Sequence, residues 1–288
     1  MDASSKPLVQ RRRLRTELRT ARQDARYTQE QVARSMEWSL SKVIRIESGS
    51  VGVSANDLRA LLDLYGIAGS ERVDELLDLA RASRQSSWWS RRYKADISAQ
   101  YLQFIEYEEA ASVLRMYEPL LLPGLWQTRE YATAIIRQLA DPDTPQSLIE
   151  TRIEIRMRRQ ELLDQDPPPE IVCVLDEAAV QRTAGQRNVA RGQIERLIEL
   201  AGRPNIRLGV VPFGAGFHRG MLEPFHLLEF PDHEDSDVLF SESSRDTILS
   251  RDESGEIAGY RAVFEDLRDA SLGEADTLTY LSDLASQI

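Results

Sequence analysis

The chain has 288 residues, 42% of them hydrophobic, and a formal net charge of −11, so it can bury a core, is not wholly disordered, and has the length of about two domains. Its one cysteine, Cys173, excludes an internal disulfide and fits a reducing compartment. No run of 18 apolar residues suggests a transmembrane helix, and the opening MDASSKPLVQRRRLR lacks the apolar segment of a secretory signal, so a cytoplasmic protein is expected.

The charge is unevenly placed. Residues 1–95 hold 18 Lys and Arg against 12 Asp and Glu, a net of +6, and residues 96–288 carry −17. A basic arm on an acidic body is expected where only one part meets nucleic acid. The first part reads as five short helices. In RRRLRTELRTARQDAR, Leu14, Leu18 and Ala21 or Ala25 recur at intervals of three and four. Thr28 and Gln31 fit a capping box at the start of the next helix. Ser39, Ser54 and Ser70 can each cap a later one, with Gly49 and Gly66 as stops. This predicts a compact bundle over residues 8–83. RQSSWWSRRYKA (84–95) breaks the periodicity and reads as a linker, with Trp88 and Trp89 expected to dock on the second domain.

Residues 96–288 mix element types. DISAQYLQFIEYEEAA reads as a helix and SVLRMYEPLL as an extended segment stopped by Pro123-Gly124. Thr128 can cap REYATAIIRQLA, and residues 145–164 form a charged helix ended by Pro167, Pro168 and Pro169. IVCVL (171–175) and IRLGVV (206–211) are β-rich, with the helix VARGQIERLIELAG between them, which predicts neighbouring parallel strands. FHLLEF and DVLFSES add strands in hairpin order, and helices over 257–271 and 274–286 close the chain. The fold class expected is α+β: an N-terminal helical bundle followed by a mixed α/β domain.

TQEQVARSMEWSLSKVIRIESG (28–49) has the layout of two short helices around a tight turn at Glu37-Trp38. Its core positions are Val32, Ala33, Trp38, Val43 and Ile46, and Ala33 is small where the helices must approach closely. The ordered set Thr28-Gln29-Glu30-Gln31, Ala33, Ser39, Ile46-Glu47 and Gly49 resembles the helix-turn-helix of the xenobiotic-response-element type, over residues 11–67. The resemblance implies a second helix that enters the major groove and reads bases with Leu40, Ser41, Lys42 and Ile44. Lys42 can donate to guanine and Leu40 can touch a thymine methyl. Gln29 and Arg45 fall where such proteins contact backbone or base, and Thr28 and Ser39 complete the expected DNA-contacting set. The apolar Leu40 and Ile44 leave direct readout thin, which puts weight on backbone contacts and DNA shape. Glu47 reads as structural, tied to a nearby arginine. Arg11, Arg12 and Arg13 open the first predicted helix, where cations oppose the macrodipole; phosphate or minor-groove contact is expected of them.

The acidic body shows no catalytic constellation. His218, His226 and His233 lack metal-ligand spacing, and no paired cysteines, GxSxG or phosphate-binding loop occurs. Cys173 lies in an apolar strand run and reads as an inert core thiol. Asp176 and Glu177 read as a helix cap and first-turn acid rather than a catalytic pair. GAGFHRG (214–220) reads as a flexible loop. No cofactor, metal or catalytic residue is therefore expected. EPLLLPGLWQTREYA, VLDEAAVQRTAG and VVPFGAGFHRGMLEPFHLLEF resemble the C-terminal domain common in actinobacterial helix-turn-helix regulators. That resemblance implies a regulatory module and a short partner protein encoded nearby, a pairing of toxin–antitoxin type. The body is expected to sense a small-molecule effector or bind a partner, and to dimerise, because one small module makes too few base contacts. The alternative is an enzyme or toxin whose expression the DNA-binding arm regulates.

Overall fold

Helix starts in this chain follow from hydroxyl and carboxylate caps placed before apolar-periodic runs. The computed structural model describes residues 7–47, 51–83, 93, 96–230, 237–242, 247–251 and 255–288, so Gly49, Trp88, Trp89, His233 and all of the expected linker but Tyr93 lie outside it. The chain divides into two compact units, residues 1–92 and 93–288.

The first unit holds α1 (Pro7–Asp24), α2 (Gln29–Ser35), α3 (Leu40–Glu47), α4 (Ala55–Leu64) and α5 (Ser70–Ala82). Thr28 caps α2 through a full capping box: its Oγ1 accepts from Gln31 N–H at 3.2 Å and its own N–H donates to Gln31 Oε1 at 2.7 Å. Ser39 and Ser54 likewise accept from Lys42 and Asp57 N–H groups. Ser70 does not act as a cap; α5 begins one residue earlier than expected, with Gly69 in the cap position and no side-chain bond there. Leu14, Leu18, Val32, Ala33, Val43, Ile46, Leu58 and Leu62 are among the residues of one buried core. Trp38 only packs against its edge.

The second unit is built on a six-stranded sheet in the order β3-β2-β1-β4-β5-β6. It begins with α6 (Ala99–Ala110) and β1 (Val113–Glu118), then a 3-10 turn at Gly124–Trp126, α7 (Arg129–Leu139) and α8 (Gln146–Arg159). The last turn of the charged helix tightens into a 3-10 segment, Gln160–Asp164, before β2 (Glu170–Asp176). Two helices, α9 (Glu177–Ala184) and α10 (Ala190–Ala201), lead to β3 (Ile206–Val211), where the sequence suggested one. β1, β2 and β3 are parallel, as strand–helix–strand order requires. β4 (Phe225–Glu229), β5 (Val238–Glu242) and β6 (Thr247–Arg251) continue the sheet antiparallel from β1. α11 (Glu256–Ala270) and α12 (Glu274–Gln287) close the unit.

Alternation sorts the two sheet faces. Tyr117, Val174, Phe225 and Leu227 pack under Phe264 and Leu267 of α11. Met116, Cys173 and His226 share the opposite face by register, where Phe104 of α6 stacks on Phe240 with ring centroids 3.9 Å apart. The fold is α+β, with a helical N-terminal region and a mixed-sheet C-terminal unit.

Candidate nucleic-acid interface

The candidate interface is built from three segment ends: the last turns of α1, the start of α2, and the outer face of α3. Glu47, buried on α3, gathers all three. Arg22 of α1 grips it with two arms, Nε to Oε1 at 2.6 Å and Nη2 to Oε2 at 3.1 Å. The third arm donates to the Tyr27 carbonyl at 2.8 Å, and Gln29 donates its amide to Glu47 Oε2 at 2.7 Å. A fork-to-fork pair sets orientation as well as distance, so this carboxylate fixes the angle of α3 against its neighbours. Burial, then the Glu47 charge, hold the nearby Tyr65 hydroxyl far above its ordinary range, so it stays protonated.

An open cleft results, with Arg19, Gln23, Arg26, Gln29, Leu40 and Ile44 on its walls. Leu40 and Ile44 stay 39% and 43% exposed although both are large and apolar. Ser41 and Arg45 are exposed beside them. The turn between α2 and α3 takes Glu37 to φ 55°, a left-handed conformation that non-glycine residues adopt at a cost of about 1–2 kcal/mol. A second such residue, Arg26 at φ 59°, ends the α1 connection on the cleft wall.

The expected site residues do not all fall together. Thr28, Gln29, Leu40 and Ile44 line the cleft. The Lys42 ammonium is engaged inside the unit, 3.1 Å from Asp57 and 3.6 Å from the centre of the Trp38 ring. Base contact by Lys42 therefore requires it to leave both partners. Ser39 is occupied as the cap of α3. α1 starts at Pro7, so Arg11, Arg12 and Arg13 lie a turn inside the helix rather than at its tip. Arg11 donates to the Ser83 carbonyl at 3.4 Å and Arg13 to Glu75 at 2.7 Å. Ser83 follows the end of α5 and Glu75 lies within it. Arg19 and Arg26, absent from the expected contact set, occupy the cleft instead. Arg19 and Gln23 share one face of α1 at helical spacing, and Arg26 follows just past the helix end.

The second unit concentrates polar groups at the carboxyl ends of β1 and β2. Asp176 caps α9, accepting from Ala178 N–H at 2.8 Å. Its other oxygen lies 3.1 Å from His218 Nε2 and 3.4 Å from the Tyr117 hydroxyl. Glu177 accepts from Phe213 N–H at 2.7 Å. These bonds fasten Phe213 and His218 to the carboxyl end of β2 and the start of α9, so the segment expected to be a flexible loop is tethered at those two points. Gly220 lets it lie close; a Cβ there would come within 2.6 Å of the Tyr117 ring. A second pair, His226 with Glu118 at 3.0 Å, lies on the opposite face. Cys173 is buried, and that burial pushes its thiol well above the ordinary range. No cluster of three or more metal-ligating side chains occurs among the described residues, and no described helix is long and apolar enough to cross a membrane.

Residues 13–76 match a helix-turn-helix domain, the span that contains the cleft. Residues 101–283 match a family described as a domain of unknown function, DUF5753. No curated protein and no solved structure matches the chain. The chain is a helix-turn-helix protein that belongs, through its larger unit, to the DUF5753 family.

Proposed function

We propose that the protein is a sequence-specific transcriptional regulator of the xenobiotic-response-element type that binds double-stranded DNA as a homodimer. Residues 8–83 form the DNA-binding domain, 84–95 the linker, and 96–288 a sensor or partner-binding and dimerisation domain. The observation that carries this reading is the outward face of α3. Leu40, Ser41, Ile44 and Arg45 are exposed beside a cleft rimmed by Arg19 and Arg26, and Glu47 holds that face in place. The cations supply phosphate contacts that set register, and Leu40 and Ile44 supply apolar contacts to thymine methyl groups. So few polar readers on one copy call for a second copy on a two-fold operator. The resemblance to actinobacterial regulators supports a short partner protein encoded nearby.

Selection of bound fragments from genomic DNA, followed by footprinting and mass measurement of the complex, tests the reading. The expected result is a two-fold-symmetric site protected by two copies. Enrichment of no motif, or specificity left unchanged by Leu40→Ala with Ile44→Ala, would sink it. The enzyme alternative rests on the His218–Asp176 pair beside Tyr117. Turnover of a nucleotide or RNA substrate that is lost in His218→Gln would favour that alternative.

A further inference from the structure

We propose that the C-terminal unit binds an amphipathic monocarboxylate in a cavity between the start of α6, α7 and α8. The inference gives the sensor reading above a ligand class, and its regulatory meaning rests on that reading. The cavity encloses about 440 Å³, within the usual range for small-molecule sites. Leu121, Ile135, Ile136 and Ile155 make its apolar wall, and Arg152 and Arg156 stand together on its polar side. These arginines are four residues apart on α8 and so share a helix face. The other charged residue on the lining is Asp96, so cations outnumber anions there. That excess is notable in residues 96–288, which carry a net charge of −17.

The polar side is organised before any ligand arrives. Arg156 is held by the buried Gln127, which accepts from its Nη1 at 2.9 Å and donates to the Leu122 carbonyl at 2.7 Å. The Arg156 Nε is buried with no hydrogen-bond partner among the described residues, a costly state for a charged donor. Arg152 has no ion-pair or hydrogen-bond partner among the described residues. Pro123-Gly124 has a role here: a Cβ at Gly124 would lie 3.3 Å from Arg159 Nη1 and 3.5 Å from Arg156 Nε. Tyr101, also on the lining, accepts from Arg159, which leaves its own O–H proton as a donor. Two guanidinium groups and a phenol above an aliphatic wall fit a carboxylate with a hydrocarbon tail. A phosphate diester or a polar sugar would leave the wall unused. The cavity also includes Asp96, Ile97 and Ser98, near the point at which the chain enters the second unit, so an occupant touches the segment that follows directly from the expected linker.

Calorimetric titration of the full-length protein with decanoate, octanoate, decanol and octylammonium tests the site. Decanoate is expected to bind one to one, with affinity rising about three- to fourfold per methylene from octanoate. Decanol should bind about tenfold or more weakly than decanoate, and octylammonium not at all. Arg152→Gln lies at the surface and does not threaten the fold; it and Arg156→Gln should each weaken decanoate about tenfold, and Ile135→Trp should block the cavity. Equal binding of decanol, no decanoate binding, or unchanged affinity in both arginine variants would overturn the site. DNA affinity with and without saturating decanoate is measured separately. A bound carboxylate that leaves DNA affinity unchanged would keep the site and remove the sensor reading.

Discussion

Each unit contains an arginine that grips a buried glutamate with two arms and sends its third elsewhere, and the two pairs do different work. In the helical unit Arg22 holds Glu47, with side chains 12% and 6% exposed. In the α/β unit Arg159 holds Glu108 at 2.7 and 2.8 Å, with side chains 5% and 2% exposed. Burial alone would favour a neutral Arg159, but the Glu108 charge outweighs it and raises the guanidinium further above its ordinary range. Arg159 also lies over the rings of Tyr101 and Phe104. Its pair locks α8 onto α6 and lies beside the proposed cavity. The Arg22 pair borders an open cleft and sets the pose of a surface helix. The same chemistry therefore stabilises one unit from within and shapes a contact face on the other.

Breaking the more buried pair should cost most. Arg159→Leu strands the Glu108 carboxylate and should destabilise the α/β unit by about 3–5 kcal/mol, measured by denaturant unfolding. Adding Glu108→Leu should recover most of that loss; failure to recover would mean that Arg159 packing, not charge, dominates. Glu47→Gln should cost less, about 1–3 kcal/mol, because Arg22 keeps the Tyr27 carbonyl and borders the cleft. It should also weaken DNA binding about tenfold or more, through the misplaced α3, in a gel-shift titration. Arg19→Gln and Arg26→Gln should leave stability unchanged, weaken all DNA sequences alike and each lower the salt slope by about 1. Arg11→Gln and Arg13→Gln should leave that slope unchanged, since Arg11 engages the Ser83 carbonyl and Arg13 engages Glu75 of α5; a reduced slope would restore them to the interface.

The smallest effect concerns a more open carboxylate. Burial works to raise the Glu229 pKa, but hydrogen bonds from Arg115 and Arg261 outweigh it and hold the group below its ordinary 4.5. A depressed folded-state pKa gives stability that is complete above the unfolded-state pKa and lost as pH falls through the folded one. The Tm of the α/β unit should therefore fall with acid below about pH 4.5, and Glu229→Gln should flatten that part of the profile. An equal slope in the variant would assign the acid loss elsewhere.

Local rules place several helix starts. Thr28, Ser39, Ser54, Thr128 and Asp176 cap the helices that their positions announce, because a cap needs only its own next three residues. Ser70 shows the limit of that rule: a hydroxyl one residue inside a helix reads the same in sequence as one just before it. The parallel pairing of β2 with β3 followed from strand–helix–strand order. The central place of β1, paired to β2 on one side and β4 on the other, did not, since register between distant strands is decided by packing.

Sequence alone announced the helix-turn-helix, its cap residues, its exposed Leu40 and Ile44, and the partition of charge between a basic arm and an acidic body. Those features depend on neighbours within a few residues or on composition. Tertiary structure decided which cations meet which ligands. Arg13 and Arg26 both belong to the basic N-terminal arm, yet one is tied to α5 and the other borders the cleft. Arg152, Arg156 and Arg159 read as one solvated face until folding brings Gln127, Gly124 and Glu108 against two of them. An arginine's role is set by what lies within about 4 Å of its guanidinium, and folding chooses those neighbours from residues far away in the chain.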